Sequence, residues 1–99
     1  MITRIVKMEF REEAIADFLE MFEKKKEFII ARPGCIDLEM LQEKENPTVI
    51  FTYSHWDSED DLNAYRGTEL FGEVWKETKS YFAGRAEAWT LNAIHKLQS

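Results

Sequence analysis

The stretch Y-S-H-W-D-S-E-D, residues 53–60, sets one of only two histidines beside two aromatic rings and three carboxylates. Such a cluster could be an acid–base or metal-binding group, or the place where a strand gives way to a helix. Neighbours on an extended strand face opposite sides, so His55 and Trp56 cannot line one pocket. Ser58 and Asp61 have the S-x-x-D spacing of a helix cap. Glu59, Asp60 and Asp61 fill the first turn, where exposed N–H groups favour negative charge. Helix initiation therefore accounts for the carboxylates without catalysis.

Other chemistries find little support. His55 and His95 are the only histidines, and neither H-x-x-x-H nor C-x-x-C spacing occurs, so no metal site is expected. There is no G-x-S-x-G and no Gly-rich phosphate loop. Cys35 is the single cysteine, which excludes an intramolecular disulfide and fits a reducing compartment; as a strand residue it reads as inert. Lys24, Lys25 and Lys26 lie beyond the apolar stripe of a helix, with Glu20 four residues before Lys24, and read as a solvated face.

Trp56 remains. Opposite it falls the apolar side of the next helix, Leu62, Tyr65, Phe71 and Trp75. These rings make either a filled core or a pocket for a flat, largely apolar molecule. Arg4, Thr52 and the Tyr65 hydroxyl are then the pocket's few polar groups. Arg4 alternates with the apolar positions of the first strand, and an inward arginine needs an anionic partner such as a phenolate or carboxylate. Tyr65 is the nearest candidate for a proton acceptor, a role that requires its pKa to fall from about 10.

The elements that must hold these residues follow from periodicity. Residues Ile2 to Phe10 alternate as a strand. From Glu12 the apolar residues Ile15, Phe18, Leu19, Phe22 and Ile29 recur at helical spacing, ending near Ala31 before Pro33-Gly34. Cys35 to Glu43 alternates again, with Ile36, Leu38 and Met40 on one face. K-E-N-P-T connects it to a strand from Val49 to Trp56. A helical pattern from Ser58 breaks near Gly67 and runs on to Gly84, and Arg85 to Lys96 is strand-like. The order βαββαβ gives an α+β, ferredoxin-like fold: a four-stranded antiparallel sheet with both helices on one face, as one domain over residues 1–99.

Ninety-nine residues, 44% hydrophobic and 13% aromatic, suit such a domain. A formal charge of −6 disfavours nucleic acid or an anionic membrane as partner. No apolar run reaches membrane-spanning length, and the alternating N-terminus lacks a signal-peptide core, so the expected location is cytoplasmic.

The strand V-I-F-T-Y-S-H-W carries bulky apolar side chains on both faces, whereas a half-solvated strand should show a polar one. Two helices cover only one side. Leaving Phe51 and Tyr53 wet would forgo several kcal/mol at about 25 cal/mol per Å², comparable with the net stability of a small domain. A homodimer, packed sheet to sheet through the face of Phe51, Tyr53 and His55, is therefore expected.

A-R-P-G-C-I-D-L-E-M-L, F-T-Y-S-H-W-D-S-E-D-D-L-N-A-Y and G-T-E-L-F-G-E-V-W together resemble the antibiotic-biosynthesis monooxygenase family of dimeric α+β barrels. The resemblance implies a small homodimer with one pocket per subunit between sheet and helices. It also implies oxygenation of phenol- or quinol-type aromatics without metal or flavin, hence no cofactor. Trp56 matches the strand-ending tryptophan that lines the pocket of polyketide-oxidising members. Thr52 stands where those members have asparagine, and Leu62 where they have tyrosine. Haem-degrading relatives carry a histidine where Trp75 stands, so no haem is expected. Other relatives are isomerases, and a non-catalytic binding module stays open as an alternative, because a fold does not dictate a reaction.

Overall fold

The computed structural model describes residues 1–98. Four strands form one antiparallel sheet: β1 (Ile2–Glu9), β2 (Cys35–Gln42), β3 (Val49–Trp56) and β4 (Glu87–Asn92), in the spatial order β2-β3-β1-β4. Three helices cover one side: α1 (Ile15–Ile30), preceded by a 3-10 turn at Glu12–Ala14, α2 (Glu59–Arg66) and α3 (Glu69–Lys79). This is the α+β, ferredoxin-like arrangement expected from the periodicity.

Alternation in β1 sends Ile2, Arg4, Val6 and Met8 towards the helices, opposite Trp56, Ser54, Thr52 and Ile50 of β3. Met8, Phe10, Phe18, Met21 and Ile50 form the main core, and Ile2, Trp56 and Leu62 a second one. Phe10 leaves the strand but pairs with Phe82, closing the end of the main core. Within α1, Met21 is buried and Leu19 is exposed, so the stripe is rotated slightly from the expected one.

The break expected near Gly67 is present, and three boundaries differ from expectation. The helical pattern after Ser58 is two helices. Gly67 closes α2, and Thr68 caps α3 by accepting from the Phe71 amide at 3.1 Å. The second of them stops at Lys79 rather than Gly84, and the chain past it crosses back, with the Arg11 amide donating to the Tyr81 carbonyl at 3.0 Å. In β2 a bulge intervenes between Cys35, which pairs with Trp56, and Asp37, which pairs with His55. The extra residue, Ile36, is half exposed, so Cys35 rather than Ile36 shares the inner face with Leu38. The expected last strand, Arg85 to Lys96, is shortened to Glu87–Asn92.

Gly34 locks two junctions together. Its φ of 81° is a left-handed conformation, and a Cβ there would collide with the side chain of Asp61. Its carbonyl accepts from the Asp57 amide at 2.8 Å, which ties the end of α1 to the end of β3 where Trp56 sits.

Candidate functional site

Sheet and helices enclose a cavity of about 300 Å³. Strand alternation builds its floor: Arg4 and Val6 from β1, Leu38 from β2, and Thr52, Ser54 and Trp56 from β3. Helical spacing builds its roof, with Leu62 and Tyr65 three apart on α2 and Phe71 and Trp75 four apart on α3. The break between the helices matters here. Thr68 Oγ1 donates to the Tyr65 carbonyl at 2.7 Å while accepting from Phe71, and so sets the edge of Phe71 against Tyr65 at 5.3 Å between centroids.

Trp56 is 2% exposed. Its Nε1–H donates to Ser54 Oγ at 3.1 Å, which satisfies the one polar group of a buried indole. The ring stacks on Tyr65 at 5.2 Å and 22°. From Tyr65 the rings continue through Phe71 to Trp75, giving the cavity one aromatic wall, and Trp75 packs in turn on Phe82.

All seven side chains singled out in the sequence, Arg4, Thr52, Trp56, Leu62, Tyr65, Phe71 and Trp75, line this single cavity. Among the lining residues that the sequence did not single out are Ser54, Arg66 and Cys35. Ser54 shares the parity of Trp56 and could have been found from it. Arg66 adjoins Tyr65 on the last turn of α2, and Cys35 enters through the bulge.

The opening cluster divides as its spacing indicated. Ser58 Oγ accepts from the Asp61 amide at 3.1 Å and donates to Asp61 Oδ2 at 3.0 Å, a helix cap. His55 lies on the other face of the sheet. Its Nδ1 is 2.7 Å from Asp37 Oδ1, which also accepts from the His55 amide at 3.1 Å, and Tyr53 packs edge-on against its ring. Among the described residues no three His, Cys, Asp or Glu side chains converge as a metal site.

Burial pushes the Tyr65 phenol up to about 12, helped by Cys35 and opposed by Arg32. That is the opposite of what a proton acceptor requires, so at neutral pH the hydroxyl is a donor. Below about pH 10 folded and unfolded chains both keep this proton. Between about 10 and 12 only the unfolded chain releases it, so stability falls as pH rises through that window. We expect Tyr65→Phe to flatten the decline in urea midpoint between pH 9 and 11. Part of it should persist through Tyr81, whose phenol is raised by its hydrogen bond to Glu77. Identical pH slopes for both proteins would place Tyr65 in water.

Burial, and then the neighbouring Arg66, hold Arg4 below the ordinary arginine value. Arg4 Nη1 donates to Thr90 Oγ1 at 2.7 Å, which fixes the guanidinium beside the cavity.

The sequence model of the family described as antibiotic biosynthesis monooxygenase matches residues 1–77. No curated protein matches the chain. Among solved structures, one described as an antibiotic biosynthesis monooxygenase superposes with a TM-score of 0.88 at 17% identity, covering 96% of this chain and 100% of that one. A conserved protein from Methanosarcina mazei gives 0.85 at 23% identity over 91% and 90%. A mutant of SnoaB, a cofactor-independent oxygenase from Streptomyces nogalater, gives 0.88 at 16% identity over 99% and 97%. At these identities the structural likenesses establish the fold.

Proposed function

The chain belongs to the antibiotic biosynthesis monooxygenase family, and on that premise we propose that it is a cofactor-independent monooxygenase of a small phenol- or quinol-type aromatic. The observation that carries this reading is the cavity, walled by Trp56, Tyr65, Phe71 and Trp75 and given only a few polar groups. SnoaB, a fold relative, is described as a cofactor-independent oxygenase.

The chemistry such a site can assist is oxidation of an electron-rich ring by dioxygen itself. A phenol with a free ring position plus one dioxygen gives a quinone plus one water; one oxygen atom enters the ring, and the other leaves with the two hydrogens lost. The protein's contribution is orientation and electrostatics. Trp56 and Tyr65 hold the ring between sheet and helix, with the Tyr65 hydroxyl as a hydrogen-bond donor. Phe71, Trp75 and Leu62 exclude water. Thr52 and Arg4 position the substrate's oxygen, and Arg4 favours its anionic form.

The assembly in which this occurs is a homodimer. Outer-face residues Phe51, Tyr53 and His55 meet the same face of a second copy. Among the described residues no helix is long and apolar enough to cross a membrane.

Oxygen uptake with a panel of naphthols and hydroquinones tests the reaction. We expect at least one substrate to consume dioxygen mole for mole with quinone formed, no turnover without air, and at least about tenfold lower kcat/KM in Trp56→Phe. Equal conversion with and without air would make the protein an isomerase. Tight binding with no uptake for any compound would make it a binding module.

A further inference from the structure

The chain has 19 acidic and 13 basic residues, yet two arginines line its cavity, Arg4 from the floor and Arg66 from the last turn of α2. Acids are abundant, and the ion pairs among the described residues join Arg11 to Glu13, Lys24 to Glu20, Lys26 to Glu23 and His55 to Asp37. None uses Arg4 or Arg66. Glu87 also borders the cavity, but it pairs in register with Lys7, so alternation assigns its side chain to the outer face. The cross-strand neighbours of Arg4 are the neutral Ser54 and Thr90. Only one of its five N–H groups is held, by Thr90. Arg66 stands at a helix C-terminus, where backbone carbonyls tolerate a cation. That explains why it can stand there, not why it lines the same cavity as Arg4.

Two unpaired guanidinium groups near one another repel, and partial burial sharpens the repulsion. An incoming anion removes that cost and meets free donors on both sides.

We propose that Arg4 and Arg66 form a two-cation clamp at the mouth of the cavity, and that the ligand is an aromatic acid whose carboxylate they hold. This deepens, and rests on, the reading of the cavity as an aromatic site. The carboxylate anchors at the arginines, while the ring extends past Thr52 to Trp56 and Tyr65. Guanidinium forks match a carboxylate through paired, charge-assisted hydrogen bonds, and Arg66 is therefore a specificity-determining residue.

The test pairs two probes with one ring system, 1-naphthol and 1-hydroxy-2-naphthoate, each titrated by quenching of tryptophan fluorescence. We expect the wild type to bind the naphthoate at least about tenfold more tightly than the naphthol. Arg66→Gln, an exposed change that leaves the core alone, should lower that ratio at least about threefold, Arg4 keeping the rest, with naphthol affinity held within about threefold. Arg66→Lys should fall between, since it keeps the charge and loses the fork. Naphthol binding with no preference for the naphthoate in the wild type overturns the clamp and leaves the aromatic site standing. Equal loss of both ligands in Arg66→Gln also overturns it. Failure of both probes to bind the wild type removes the aromatic site and the clamp together.

Discussion

Replacing Trp56 with alanine should lower the unfolding free energy by about 3–5 kcal/mol, the range for deleting a large buried ring. The side chain is 2% exposed, stacks on Tyr65, and shares a core with Ile2 and Leu62. Its neighbours are committed elsewhere: Ile2 to the central strand, Leu62 to a capped helix, and Cys35 to the bulge. None can move to fill the void. Domains of this size hold roughly 5–15 kcal/mol in all, so the variant should lose a large share of its stability and unfold at markedly lower urea. Trp56→Phe separates packing from polarity. It keeps a ring but loses the Nε1 bond to Ser54 Oγ, leaving a buried hydroxyl short of a partner, at about 1–2 kcal/mol. Urea denaturation of the three proteins measures both differences. A loss below about 1 kcal/mol for the alanine variant would mean that Trp56 does not close the cavity at all.

The second large effect belongs to the opposite face of the sheet. Register aligns Tyr53, Ile5 and Trp89 as an apolar row across β3, β1 and β4, flanked by Phe51 beside Leu41 and by His55 beside Thr3 and Leu91. Trp89, Leu91 and Leu41 are each more than 40% exposed. A row this apolar left in water is unusual for a small domain. If a second copy covers it, Tyr53→Glu inserts two carboxylates, one per subunit, into a single symmetric interface. At about 2 kcal/mol or more each, the dissociation constant rises by roughly three orders of magnitude or more. Sedimentation equilibrium should then show two chains for the wild type and one for the variant. A wild type that sediments as a single chain at micromolar concentration ends the dimer proposal. His55 and Asp37, hydrogen-bonded within this face, are the polar pair the interface would enclose.

Much of this architecture is legible in the residues themselves, and the limits have physical causes. The two-residue period of β1 and β3 assigned Arg4, Thr52 and Trp56 to one face and Phe51, Tyr53 and His55 to the other, because strand alternation admits no other outcome over eight regular pairs. The capping pair Ser58–Asp61 marked the start of α2 for the same kind of reason, a local hydrogen bond with a fixed spacing. The bulge at Ile36 was not legible. Nothing in C-I-D-L-E-M-L distinguishes a regular strand from one with an extra residue, and the tertiary pairing of Asp37 with His55 is absent from local pattern. Arg66 was overlooked because a cation in the last turn of a helix already has a local explanation. That it lines the same cavity as Arg4 depends on how α2 docks over the sheet. As a proton acceptor, the role its place in the sequence suggests, Tyr65 would need a lowered pKa. Its burial against Trp56 and Phe71, a property of three elements at once, drives it the other way.

The three tryptophans offer a direct reading of which face of the sheet receives a ligand. Trp56 and Trp75 line the cavity, and Trp89 lies on the outer face. In a 15N-labelled protein each gives one indole N–H resonance. Titration with 1-naphthol should shift the signals of Trp56 and Trp75 together, on one saturable curve, and leave Trp89 in place. Movement of the Trp89 signal alone would put the ligand on the wrong side of the sheet and contradict the account.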